Sequence, residues 1–165
     1  MIKHGALGDL IQTTGILKSI RQHNNSHNIT LLTDPKFSFF TKNLPYFDYI
    51  IHDERPSFFR VDKWIRMIAK LVNNKFDIIY DLQNSDRTSI YFFFMSTFRK
   101  IIWSGNRRGG EYRYSPINFE KVPVLQRLVD QLQLINLAVN TKPDLSWMHE
   151  NVDKYLPKLI RSIKK

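Results

Sequence analysis

Short apolar runs of β character alternate with longer stretches of helical periodicity from the first residue almost to the last. Met1 to His4, Ile29 to Thr33, Tyr49 to His52, Asp77 to Leu82 and Lys100 to Trp103 read as strands. Several are continuous apolar runs, the pattern of strands buried on both faces of a parallel sheet. The helical pattern predicts helices from about Leu10 to Gln22, near Phe37 to Lys42, and over Val61 to Asn73, Thr88 to Phe98, Val124 to Leu137 and Val152 to Ile163. Five strands alternating with helices in this order predict an α/β fold, a doubly wound and mostly parallel sheet with right-handed crossovers.

The ends depart from that rhythm. Only Met1, Ile2 and Lys3 precede the first loop, whereas a strand usually has ~5 to 6 residues, so a clipped first strand is expected. Asn140 to Trp147 contains Pro143 and reads as an irregular connection, followed by a basic helix that stops at Lys164 and Lys165. The expected organisation is one domain over residues 1–138, then a linker and basic helix over 139–165 leading to a further domain absent from the chain.

Composition supports one packed core. A chain of 165 residues, 42% hydrophobic and 13% aromatic, has the length of one domain and too much apolar content for a disordered chain. No apolar run approaches the ~18 residues of a membrane span, and the basic and apolar blocks of a signal peptide are missing, which makes the cytosol the expected compartment. With no cysteine, disulfides, thiolate metal sites and cysteine nucleophiles are excluded. The five histidines have no ligand spacing, and no metal site is expected. The net charge of +10 points to an anionic partner: nucleic acid, an anionic membrane or a phosphorylated substrate. The excess is clustered at Arg55, Arg60, Lys63, Arg66 and Lys70, at Arg99 and Lys100, at Arg107, Arg108 and Arg113, and from Lys154 to Lys165.

The most informative stretch is Lys3-His4-Gly5-Ala6-Leu7-Gly8-Asp9-Leu10-Ile11-Gln12, where the first strand turns into the first helix. In an open α/β sheet this turn lies at the carboxyl edge of the strands, where ligands bind. Gly5 and Gly8 can adopt positive φ and admit another molecule close to the backbone, while the helix start offers free N–H groups and partial positive charge to an anion or sugar. The spacing matches neither the dinucleotide fingerprint nor a phosphate-binding P-loop. Asp9 has two readings. Spacing alone favours the helix N-cap, worth ~1 kcal/mol; the alternative is a general base for an attacking hydroxyl, worth ~10² to 10⁴ in rate. An aspartate with an ordinary pKa of ~3.9 is a weak base for an alcohol, so that role requires a strongly electrophilic partner.

These residues, continuing through Thr13-Thr14, Leu17 and Ile20-Arg21, resemble the opening of the family 9 glycosyltransferases, which include the heptosyltransferases of lipopolysaccharide core synthesis. The resemblance continues in order through Asp34-Pro35, Phe76-Asp77-Ile78-Ile79-Tyr80-Asp81-Leu82-Gln83 with Arg87-Thr88-Ser89, and Asp144-Leu145-Ser146-Trp147. It implies the Rossmann-like N-terminal, acceptor-binding domain of a two-domain GT-B enzyme, the nucleotide sugar being held mainly by a C-terminal domain. It further implies that Asp9 deprotonates the acceptor hydroxyl while the nucleoside diphosphate leaves with inversion. The donor implied is a nucleotide sugar such as ADP-heptose, a co-substrate rather than a cofactor. The acceptor that the resemblance implies is an anionic lipopolysaccharide-core glycolipid, on the cytoplasmic face of the inner membrane. Without the donor half, the isolated chain is expected to be inactive.

Gln83 and Asn84 fall at the same sheet edge as Asp9 and either bind acceptor hydroxyls or, with Asp81, cap the following helix. Arg87 and, less directly, Lys3 are candidates for meeting an anionic acceptor. Arg107-Arg108-Gly109-Gly110 with Tyr112, Arg113 and Tyr114 suits acidic sugars or phosphate, or is a solvated loop. Tyr91-Phe92-Phe93-Phe94-Met95 reads as a buried helix, with peripheral attachment to anionic lipid as the alternative use of its rings. Two competing readings of the whole chain are a basic nucleic-acid-binding module, which lacks a recognised motif, and an inactive fragment; no nucleic acid is expected as partner.

Overall fold

The computed structural model describes residues 1–148; the predicted basic helix Val152 to Ile163 lies outside them. The predicted alternation is present. Strands β1 (Thr30–Thr33), β2 (Tyr49–His52), β3 (Ile78–Tyr80) and β4 (Ile102–Gly105) alternate with helices α1 (Leu7–Gln12) and α2 (Thr14–His23) in succession, α3 (Ser38–Thr41), α4 (Val61–Asn73) and α5 (Asp86–Phe98), and β5 (Tyr112–Arg113) follows β4 with no helix between before α6 (Val124–Gln133). β1 pairs with β2, and β3 with β4 and then β5, all in parallel. The N-terminal segment joins the two halves: Ile2 bridges Leu32 on one side and Asp81 on the other, also in parallel. Its ladder runs from Lys3 N–H to the Leu32 carbonyl and from Ile2 N–H to that of Tyr80, at 3.0 and 2.9 Å.

Across the sheet the order is therefore β2, β1, N-terminal segment, β3, β4, β5. The chain first moves outward one way and then the other, so the direction reverses beside the N-terminal segment. That reversal is the switch point where α/β sheets open a crevice at their carboxyl edge.

Alternating strand residues feed two cores. Leu31 and Tyr80 pack with Leu10, Ile16, Leu17, Ile20, Leu128 and Leu132 beneath α1, α2 and α6. Leu32 and Ile79 pack with Trp64, Met67, Leu71, Tyr91, Met95 and Trp103 beneath α4 and α5. Full burial of such side chains contributes ~1.5 to 3 kcal/mol each.

The structure revises three expectations. The predicted Leu10–Gln22 helix begins earlier, at Leu7, and breaks at Thr13. The Thr13 hydroxyl donates to the Asp9 and Leu10 carbonyls and that of Thr14 to the Ile11 carbonyl, the local competition with helix hydrogen bonds expected of threonine. Part of the basic Arg107–Arg113 loop is strand: Tyr112 and Arg113 extend the sheet beyond β4. The aromatic run on α5 is only half buried, Tyr91 and Met95 facing the core while Phe93 and Phe94 are exposed.

The irregular connection at 140–147 is docked along α2. Gly15 lies against it so closely that a Cβ there would sit 2.1 Å from the Lys142 carbonyl oxygen. Ser19 and Thr14 accept the N–H groups of Asn140 and Asp144, and Trp147 meets the Phe40 ring edge-on at 5.3 Å. Asp144 accepts from Tyr46 at 2.6 Å and pairs with Lys18 at 2.9 Å; the Tyr46 bond leads in holding its carboxyl well below the usual range. Gly15→Ala is expected to push the connection off the helix and cost about 1 to 3 kcal/mol, the range for overpacking a tight site. Urea denaturation checks this, and an unchanged midpoint would contradict the close docking.

Candidate active site

The loop from His4 to Ala6 leaves the central segment at the switch point. Gly5 takes φ +90°, and a Cβ there would come within 2.9 Å of Leu10 Cδ1, so this turn requires glycine. Gly8 differs from its expectation. It is helical rather than positive in φ, and a Cβ on it would meet nothing within 4 Å, leaving its side of α1 open.

Asp9 is not the N-cap. That position is Ala6, without a side-chain cap bond, and Asp9 lies in the first turn with its carboxylate exposed and unbonded among the described residues. α1 has six residues, too few for a helix dipole to hold an anion. Attraction for an anion must come from side chains, and these are present. Lys3, Asp9, Gln83, Asn84, Phe119 and Arg127 line a polar cleft of about 130 Å³ at the switch point. Lys3 is only 3% exposed, and its ammonium has no hydrogen-bond or ion-pair partner among the described residues. Burial pushes its pKa below the ordinary value; Asp9 and Asp81 pull the other way and Arg127 adds to the depression. The Arg127 guanidinium lies over the Phe119 ring at 4.6 Å, with Nε buried and unbonded among the described residues.

The two amides after β3 have different duties. Gln83 accepts the His4 N–H through Oε1 at 3.0 Å, leaving its Nε2 group for a ligand. Asn84 is committed at both ends, donating to Gln131 at 2.9 Å and accepting the Asn106 N–H at 2.8 Å, with φ +51°. The backbone N–H groups of both are taken by Asp81 Oδ1. Burial raises the Asp81 carboxyl above its ordinary range against those bonds. Gln131 completes the clasp, donating to the carbonyls of Asp81 and Ser104. Helix α5 is capped by Ser85 in a reciprocal box with Thr88.

Arg87 is not among the residues lining the Asp9 cleft. It donates to the Pro56 carbonyl at 2.8 Å and lies over the Trp64 ring at 4.5 Å, beside a network that sequence reading missed. Asp53, fully buried, lies 3.0 Å from His4 Nε2 and accepts the Tyr91 hydroxyl at 2.6 Å and the Arg55 N–H at 2.8 Å. Burial raises the Asp53 carboxyl, but these bonds outweigh it and hold the group below its ordinary value. His4 thus ties the start of the Asp9 loop to the end of β2.

Asp53, His4 and Arg127 were within reach of the sequence. The first two directly follow strands and the third lies in the first turn of the helix entered from β5, positions that all fall at the carboxyl edge. A larger cavity of about 550 Å³ opens at the opposite edge, around Asn24, Thr30, Lys75 and Asp77. Met1 and Ile2 line it, so it lies at the opposite end of the N-terminal segment from the Asp9 loop. Among the described residues there is no group of three or more His, Asp or Glu placed to hold a metal ion.

No protein-family model matches the chain, and no curated protein matches it in sequence. Its fold has a solved counterpart: the crystal structure of the glycosyl transferase family 9 from Veillonella parvula DSM 2008 superposes with a TM-score of 0.67 at 19% sequence identity. The match covers 95% of this chain and 48% of that one, so the chain spans about half the length of the structure it resembles. At that identity the likeness is one of fold, and this chain has, over nearly its whole length, the Rossmann-like α/β fold found in that glycosyl transferase.

Proposed function

We propose that this chain is the acceptor-binding half of an inverting glycosyltransferase. The observation that carries the reading is the switch-point cleft, where the exposed Asp9 carboxylate lies with a buried Lys3 ammonium and the Nε2 group of Gln83, both without a partner among the described residues. The acceptor is an anionic glycolipid of the lipopolysaccharide-core type. Its phosphate or carboxylate meets Lys3 and Arg127, and a neighbouring sugar hydroxyl faces Asp9. That hydroxyl oxygen attacks the anomeric carbon of a nucleotide sugar such as ADP-heptose. The new C–O bond forms as the bond to the nucleoside diphosphate breaks, the hydroxyl proton passes to Asp9, and one displacement inverts the anomeric centre. Proton removal late in bond formation suits a base as weak as a carboxylate. Gly5 shapes the loop, Gly8 leaves its outer side open, and Arg87 and Asn84 act by holding the loops around the cleft. The donor would be held by a second, donor-binding half, while acceptor binding rests on the residues of this cleft.

The reading is tested by transfer in a protein pairing this domain with a donor-binding half. A labelled nucleotide sugar and an acidic glycolipid acceptor should give nucleoside diphosphate and a product of inverted configuration. A retained configuration would overturn the assignment. Lys3→Met keeps the length of the buried stem and removes the charge. It is expected to weaken acceptor binding by about 1.5 to 3 kcal/mol, roughly ten- to a hundredfold, as for lost hydrogen bonds to charged groups. Calorimetric titration with a phosphorylated core oligosaccharide measures this, and unchanged affinity would remove Lys3 from the site.

A further inference from the structure

We propose that the α4–α5 face of the domain, with the loop that carries Phe58 and Phe59, docks on an anionic lipid bilayer. Val61, Ile65, Ile68 and Val72 recur at helical spacing on α4, beside the stripe of Trp64, Met67 and Leu71 that enters the core. On α5 the apolar residues run round the helix, so that Tyr91 and Met95 are buried while Phe93, Phe94 and Phe98 are exposed. Between the two helices lies a groove of about 550 Å³ whose lining is apolar except for Asn73. Phe58 stacks on Trp64 at its edge, with ring centroids 5.9 Å apart, and the next residue, Phe59, is 95% exposed. Contiguous apolar surface of this kind on a folded domain marks an interaction site.

Charge identifies the occupant. From Arg55 to Lys75 the chain carries six basic residues, and its one acidic residue is Asp62. Lys63, Arg66 and Lys70 line, together with Glu54, the cleft along the other flank of α4; Lys63 pairs with Glu54 and Arg66 with Asp62 at 2.7 Å each, positive charge stays in excess, and Arg99 and Lys100 follow the end of α5. An apolar stripe flanked by lysine and arginine is the pattern of a helix lying in the headgroup layer of an anionic membrane. A second copy docking through the same patch would bring like-charged rims together. A protein partner would find almost no hydrogen-bonding groups in the groove to register on, whereas protein interfaces carry about one hydrogen bond per 100 to 200 Å²; a bilayer needs none. Among the described residues no helix is long and apolar enough to cross a membrane, so the contact is at the surface. The Phe58–Phe59 loop follows β2, at the same carboxyl edge of the sheet as the Asp9 cleft.

The test is flotation of the whole chain with vesicles of phosphatidylcholine, or of equal parts phosphatidylcholine and phosphatidylglycerol, at near-physiological salt. Binding to the anionic vesicles is expected, with little to the neutral ones. Phe59→Ser combined with Phe98→Ser should lower binding at least tenfold, since an inserted phenylalanine contributes about 1.5 to 3 kcal/mol. Arg66→Glu with Lys70→Glu should lower it by a similar factor, at about 1 kcal/mol per basic charge at the surface. All four side chains are exposed, and circular dichroism confirms that the variants fold. The basic tail is present in every protein compared, so the differences report this face alone. Wild-type binding by the Phe variant, no binding by the wild type, or a dimer dissolved by the same Phe substitutions would overturn the proposal. Neither acceptor nor nucleotide sugar is present, so this result and the transfer assay succeed or fail separately.

Discussion

Replacing Asp9 by Asn is expected to lower the rate of sugar transfer by about 10²- to 10⁴-fold, the usual contribution of a positioned general base, with no change in the unfolding temperature. The two halves of that expectation have separate origins. Asp9 caps no helix and is exposed in the first turn of α1; among the described residues its carboxylate makes no hydrogen bond or ion pair, and its one described influence is the longer-range pull on the Lys3 ammonium, which an exposed charge exerts weakly. An asparagine of the same shape occupies the same place in the cleft but takes no proton as the new glycosidic bond forms. The loss should therefore fall on kcat while the KM for acceptor stays within a few-fold, the signature of an interaction made only in the transition state. Steady-state kinetics on the protein that pairs this domain with a donor half, alongside a melting curve of each variant, gives both readings. A variant at the wild-type rate, or one that melts well below the wild type, would remove Asp9 from its role.

Asp53→Ala should have the larger effect on stability. It leaves His4, the Tyr91 hydroxyl and the Arg55 N–H without their common acceptor in a fully buried place. Breaking a buried pair by removing one partner costs about 3 to 5 kcal/mol, against a total domain stability on the order of 5 to 15 kcal/mol. For a domain of this size the melting temperature should fall by on the order of 10 °C. Asp53→Asn, which keeps an acceptor oxygen, should cost less. The pH dependence has a definite sign. A carboxyl held below its ordinary value in the folded state contributes stability that is complete above the unfolded pKa, ~3.9, and is lost as pH falls through the folded value. The gap between wild type and Asp53→Asn should therefore be widest near neutral pH and close below about pH 4. Urea midpoints measured across that range check it; a gap that widens on acidification would contradict the network. Because His4 leads into the Asp9 loop, both Asp53 variants should also weaken acceptor binding.

Much of the fold was legible because its signals are local. Val61–Asn73 is the helix that the apolar period marks, and Tyr49–His52 is the strand. The sequence showed less where a long-range contact decides. Tyr112 and Arg113 have no strand pattern of their own and become β5 by pairing beside Ser104 and Gly105. Asp144-Leu145-Ser146-Trp147 looks like free linker until Tyr46, Lys18 and Phe40 are seen to hold it. In the site, Asp9, Gln83 and Asn84 were placed together by one rule, that strand ends share an edge, and they do share the cleft. Asn84 is nevertheless spent on Gln131 and Asn106, partners 47 and 22 residues away. Arg87 was drawn toward the acceptor by its charge and by the resemblance, and the π face of Trp64 and the Pro56 carbonyl hold it outside the cleft lining. The exposure of Phe93 and Phe94 was hidden for a related reason. An all-apolar helix signals burial, and only the packing shows which side lacks a neighbour.

The most direct measurement is a map of where the acceptor binds. Nitrogen-15 amide spectra of this chain, recorded as a phosphorylated core oligosaccharide is added, report each residue separately and need no donor half. The largest shifts are expected at Gly5, Gly8, Asp9, Gln83 and Arg127, around the switch-point cleft, and in Lys3→Met should need about ten to a hundred times more oligosaccharide. Saturable shifts centred elsewhere, or no shifts at millimolar oligosaccharide, would contradict the assignment of this chain as an acceptor-binding half.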